Sequence, residues 1–105
     1  MATRKPESAL VGLILKNLNK LPRTKAIKLH LSGMNNAGEP DIFGCSDGKF
    51  FVLEVKRPNL GKRSQPTALQ AIKLEEWKQA CGSANCVRSW EETVQVLQED
   101  GILPG

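Results

Sequence analysis

At 105 residues, 40% hydrophobic and 25% charged, the chain is long enough for one core and too short for two, so a single domain over residues 1–105 is expected. Lysine and arginine outnumber aspartate and glutamate by 15 to 11, for a formal charge of +4, which suits a polyanionic partner. Three cysteines with no CxxC pair and a single histidine argue against a thiolate zinc site and for reduced thiols in a cytoplasmic setting.

Arg4 and Lys5 precede the apolar run Ala9 to Leu15. That run lacks a small-residue cleavage site and continues as an amphipathic pattern, so it reads as a helix and not as a signal peptide. The helix is expected from about Pro6 to Asn19, with Leu10, Val11, Ile14 and Leu18 on one stripe and Pro22 soon after it. Lys25 to Ser32 alternates, Ile27, Leu29 and Leu31 forming an apolar face and Lys28 and His30 a wetter one. Loop chemistry from Gly33 to Gly38 leads into a short strand, Pro40 to Cys45. A tight turn at Ser46, Asp47 and Gly48 then returns the chain as the strand "FVLEVKRP", Phe51 to Pro58. Asn59 to Pro66 is a basic loop, Thr67 to Cys81 a helix stopped by Gly82, Ala84 to Ser89 a strand and Trp90 to Asp100 a last helix. The order αβββαβα is an α/β layout, and no stretch approaches the roughly 20 apolar residues of a membrane span.

In "FVLEVKRP" successive side chains alternate between faces, so Phe50, Val52, Glu54 and Lys56 share one face and Phe51, Leu53 and Val55 the other. Both faces are apolar until Glu54, the pattern of a central strand. A charge buried there costs several kcal/mol, on the order of the penalty for an unpaired ion, unless a partner or a metal offsets it. Antiparallel pairing brings Asp41, at the start of the preceding strand, to the same end. Two carboxylates and a lysine therefore converge, a set that suits a hard divalent cation such as Mg²⁺ together with water and a substrate phosphate.

"EPD" at Glu39 to Asp41 followed by "EVK" at Glu54 to Lys56 resembles the PD-(D/E)XK nuclease signature. The surrounding "GEPDIFG", the "TALQ" ending at Gln70 and Glu7 in the first helix are similar to the virus-type replication-repair nuclease (VRR-NUC) family, over nearly the whole chain. The resemblance implies a restriction-endonuclease-like core, a mixed central sheet flanked by helices, and metal-assisted hydrolysis of DNA. It implies that Asp41, Glu54 and the main-chain carbonyl of Val55 bind Mg²⁺, with Mn²⁺ as a substitute. Lys56 then positions the attacking water, and Glu7 and Gln70 complete the site. It further implies a structure-selective endonuclease like a Holliday-junction resolvase, acting as a homodimer on branched or four-way-junction DNA. The alternatives are a silent DNA-binding module of the same fold and a flap or nicking nuclease.

Each candidate has a plainer explanation. Glu7 falls three, four, seven and eleven positions before the apolar stripe of its helix and faces the sheet, but an acidic residue in a first turn also complements the helix dipole. Gln70 falls in the apolar arc of its helix, beside Leu69, Leu74, Trp77 and Cys81, yet Thr67 and Gln70 match a capping box. Asp41, Glu54 and Lys56 read alternatively as an ion-pair network at a sheet end. Arg4, Lys5, Arg57, Lys62 and Arg63 are candidate phosphate contacts or simply solvated loop residues.

Overall fold

The computed structural model describes residues 7–29 and 37–105; Arg4, Lys5 and His30 lie outside them. The element order is α1 (Glu7–Leu18), β1 (Thr24–Lys28), β2 (Ile42–Ser46), β3 (Lys49–Val55), a 3₁₀ turn (Gly61–Ser64), α2 (Ala68–Cys81), β4 (Ala84–Val87) and α3 (Trp90–Glu99). Among the described residues the strands form one sheet in the order β1-β2-β3-β4. The first two pairings are antiparallel and β3 with β4 is parallel, so the sheet is mixed, as expected.

The β2–β3 hairpin closes through Asp47 and Gly48, both at positive φ (52° and 83°), with Ser46 paired to Lys49. Asp-Gly is the sequence that tolerates two left-handed residues, and the resulting turn twists with its strands. β3 lies between β2 and β4, and five consecutive residues, Phe51 to Val55, are buried. This is why its sequence is apolar on both faces. Gly44 stands opposite Phe51, and a Cβ at residue 44 would run into the Phe51 ring. The glycine is what lets the aromatic side chain lie flat across β2.

The main core is on the face carrying Phe51, Leu53 and Val55. There Val11, Ile14 and Leu18 of α1 meet Ile42, Val87, Leu97 and Ile102, and the 3.6-residue spacing of the α1 positions is the reason that helix packs here. The opposite face is thinner. α2 has no fully buried residue, and contact is made through an aromatic group in which Phe43 and Trp77 stand edge to face at 4.7 Å and Phe43 and Phe50 at 5.5 Å. Leu69 and Ile72 of α2 remain 43% and 55% exposed, so Leu69 does not belong to a buried arc.

β1 differs from its sequence reading. Ala26 is the buried residue and Ile27 is 53% exposed, the reverse of a strand with Ile27 on its covered side. α1 packs on β1 over the Ala26 face, where a small side chain fits. α2 lies over β3 and β4, leaving Ile27 uncovered at the edge. The end of α1 is tied to β1 by Asn19, whose Nδ2 donates to Ala26 O at 2.9 Å and to Leu15 O at 3.0 Å, and whose Oδ1 accepts from Ala26 N–H at 2.9 Å.

Candidate active site

The antiparallel ladder runs one residue past β2, with Asp41 N–H donating to Leu53 O at 3.0 Å and Leu29 N–H donating to Asp41 O at 2.8 Å. Leu53 already stands opposite Ile42, so Asp41 steps off the β2–β3 register, beside the end of β3 that carries Glu54. Asp41 Oδ2 accepts the Val55 N–H at 2.7 Å, which fixes the carboxylate where β2 begins. Glu54 is 2% exposed and Lys56 8%, and Lys56 Nζ lies 3.7 Å from Glu54 Oε2. Glu54 Oε1 is buried and has no hydrogen-bond partner among the described residues. That is an expensive arrangement, since an unmade buried hydrogen bond costs about 1–3 kcal/mol and more when the group is charged.

The electrostatics follow from this packing. Burial, then the neighbouring charge of Asp41, pushes the Glu54 carboxyl up to about 8, with Lys56 opposing and Glu7 adding to the rise. Asp41 is raised as well, first by burial and then by Glu7, against the Val55 N–H and the positive charges of Lys56 and Lys28. Two acidic groups are thus held together in a place that disfavours both charges, and Lys56 offsets only part of the cost.

A divalent cation fits this set. Glu54 Oε1 is a buried acceptor lacking a donor among the described residues, and a positive charge beside it relieves the repulsion with Asp41. Among the described residues no three Asp, Glu, His or Cys side chains cluster as a cation cage. Two carboxylates are nevertheless what Mg²⁺ commonly takes from a protein, the remaining positions going to water and substrate oxygens.

The other candidates are distributed around this pair. Glu7, half-buried in the first turn of α1, lines an open cleft of about 590 Å³ with Lys56, Lys62, Arg63 and Thr67. A second cleft, of about 310 Å³, is lined by Glu7, Ser8, Arg57, Leu60 and Arg63. Arg57, Lys62 and Arg63 are therefore brought beside the carboxylate end of the sheet. Gln70 does not line these clefts. Its Oε1 accepts the Thr67 N–H at 2.9 Å while its own N–H donates to Thr67 Oγ1 at 3.2 Å, so the capping box is formed and holds the start of α2.

Three residues have a place in this architecture through partners distant in the chain. Ser64, 5% exposed, donates to Arg57 O at 2.6 Å and accepts from Leu60 N–H at 2.7 Å. Arg88 donates to Ser64 O at 2.8 Å, to Gln65 Oε1 at 3.1 Å and to Glu92 Oε2 at 3.3 Å. Together they fasten the basic loop to β4 and α3. Glu39 accepts from Trp77 Nε1 at 2.9 Å and lies 3.7 Å from Lys73 Nζ, which ties the approach to Asp41 onto α2. Partners 24 and 38 residues apart leave no periodicity to read.

The fold matches that of a solved structure described as a VRR_NUC domain, with a TM-score of 0.68 over 88% of this chain and 94% of that one, at 19% sequence identity. No family model and no curated protein sequence matches the chain. At this identity the likeness establishes the fold, mixed sheet and flanking helices included. Among the described residues no helix is long and apolar enough to cross a membrane.

Proposed function

We propose that this chain is a divalent-cation-dependent endodeoxyribonuclease that hydrolyses phosphodiester bonds in branched DNA, acting as a homodimer on four-way junctions. The observation that carries the reading is Glu54, a buried carboxyl with one oxygen unpartnered among the described residues, beside Asp41 and Lys56, at the end of a central strand in a fold similar to that of a VRR_NUC domain. A purely structural ion-pair network has no use for that unpartnered oxygen.

In this mechanism Asp41, Glu54 and the Val55 carbonyl would hold Mg²⁺ or Mn²⁺, which would supply an activated water and a counter-charge for the scissile phosphate. Asp41 is aligned by the Val55 N–H, so its second oxygen is the one presented. Lys56 holds and orients the attacking water and stabilises the negative charge developing on the phosphate oxygens. Glu7 sets the field at the site, keeping the carboxylates in need of a counter-charge. Arg57, Lys62 and Arg63, with Arg4 and Lys5, hold flanking phosphates and so set the register of the strand. Gln70 serves indirectly by fixing the start of α2 against the cleft. The reading needs two copies, because resolving a four-way junction takes two cuts on strands related by two-fold symmetry.

The test is a gel assay of purified protein on duplex, flap and four-way-junction DNA with Mg²⁺, Mn²⁺, Ca²⁺ or EDTA. Cleavage is expected with Mg²⁺ and Mn²⁺, binding without efficient turnover with Ca²⁺, and nothing in EDTA; full activity in EDTA refutes the metal role. Mixing wild-type with Asp41→Ala subunits should yield dimers that nick one arm only. A monomer at micromolar concentration that still prefers junctions removes the resolvase part and leaves the nuclease.

A further inference from the structure

We propose that the groove between α1 and the start of α3 is a second nucleic-acid subsite that takes up an unpaired nucleobase of the strand whose phosphates lie along the basic clefts. The proposal rests on the nuclease reading above and names the feature by which branched DNA is selected. The groove measures about 560 Å³, within the range of roughly 300–1,000 Å³ usual for small-molecule sites. Leu10, Leu13, Pro58 and Trp90 give it an apolar lining. Leu13 is 48% exposed although the α1 stripe beside it is buried, and Trp90 is half-buried with its inner side on the core.

Continuity decides the occupant. Arg57 lines both this groove and the cleft of about 310 Å³, and that cleft shares Glu7 and Arg63 with the one containing Lys56. The three depressions form a path that starts at the candidate catalytic lysine, is positively charged in the middle at Arg63 and Arg57, and ends apolar at Leu13 and Trp90. A nucleic-acid strand has this alternation, phosphates for the arginines and a flat base for the apolar end. Base stacking on an indole accepts any sequence, since every base has a π-face. Glu91, which also lines the groove, repels a phosphate there and accepts a hydrogen bond from an amino or imino N–H of a base. The guanidinium of Arg88, also on the wall, is spent on Ser64, Gln65 and Glu92, which leaves Arg57 as the groove's phosphate contact. A paired base is stacked inside its helix and cannot enter, so the groove favours flaps and other branches that carry an unpaired base, and takes one from a four-way junction where a pair at the branch point opens.

The experiment is done in EDTA, so that nothing is cleaved. Two probes of equal length and phosphate count are compared, octathymidylate and an abasic octamer, by fluorescence anisotropy with the full chain. In a Trp77→Phe protein Trp90 is the sole indole, because the chain has two tryptophans, and its quenching reports stacking. Octathymidylate should bind more tightly than the abasic oligomer and quench Trp90 to saturation. Leu13→Gln, a neutral change at an exposed position, should weaken octathymidylate by about tenfold, the scale of one lost base contact, and bring the ratio of the two affinities toward one. The anisotropy comparison stands on the unmodified chain if Trp77→Phe folds poorly. Equal binding of both probes, with no quenching and no effect of Leu13→Gln, overturns the subsite and leaves the nuclease reading intact. Failure of every DNA, duplex and junction included, to bind overturns both.

Discussion

Replacing Glu54 by glutamine should make the metal-free protein more stable, and the size of the gain follows from its burial. The carboxyl titrates at about 8 in the folded chain against an ordinary 4.5, so between these values the folded state holds a proton that the unfolded state has released. The folded state then binds more protons, and stability falls as pH rises. The contribution is fully present below pH 4.5 and is lost progressively toward pH 8. At about 1.4 kcal/mol per pKa unit the loss relative to acid is about 3 kcal/mol at pH 7 and about 4–5 kcal/mol above pH 8. Glutamine has the shape of the protonated acid and keeps its neutrality at every pH. Urea unfolding in EDTA should therefore find the two proteins alike near pH 4, and Glu54→Gln more stable by about 3 kcal/mol at pH 7. For a chain of this size that is about 10–15 °C in Tm. Mg²⁺ should raise the Tm of the wild type and not that of the variant, which is also expected to lose cleavage. A variant less stable than wild type at pH 7 to 8.5, or a difference that does not change with pH, refutes the argument that this carboxyl is held against its own charge.

Lys56→Ala and Asp41→Ala should each reduce cleavage by at least about 100-fold while circular dichroism stays unchanged, the scale of losing one group that stabilises developing charge; a Lys56→Ala protein that cuts normally refutes the assigned role. Changing Arg57, Lys62 and Arg63 together to alanine should make the plot of log affinity against log salt shallower by about 2–3 on duplex DNA, as three released counterions are removed. An unchanged slope places the DNA elsewhere. Gly44→Ala should destabilise by about 1–3 kcal/mol in urea, the usual cost of forcing an added methyl into a filled space, because the Phe51 ring occupies the position of the new Cβ. A neutral effect would mean that the ring moves aside freely.

The hairpin and its charged end were legible in the sequence because they obey local rules. Ser46, Asp47 and Gly48 announce a tight turn, the alternation of Phe50 to Val55 gives both faces, and together these bring Asp41 to the same end as Glu54. Thr67 with Gln70 and Gly82 marked both ends of α2 by capping chemistry alone. β1 was harder. Alternation separates Ile27 from Ala26 but does not say which face a helix will cover, and at an edge strand the smaller residue went under α1. The fastening of the basic loop by Ser64 and Arg88, and of the Asp41 approach by Glu39 and Trp77, depends on segments brought together only by the fold. What a side chain gains from a distant partner has no spacing along the chain.

Asn19 does more than join a helix to a strand. Among the described residues β1 is an outer strand, and at Ala26 its outward N–H and C=O are the groups to which another chain would bond. The Asn19 carboxamide presents one acceptor and one donor to them, the pattern of a neighbouring peptide unit, so the sheet meets an imitation of its next strand and stops. Edge-to-edge growth, the common route from an exposed strand to aggregation, is closed there by one side chain. The same closure constrains pairing of two copies. A dimer cannot run a continuous sheet through β1 at Ala26 unless Asn19 is displaced, and its contact has to be made through side-chain surfaces instead.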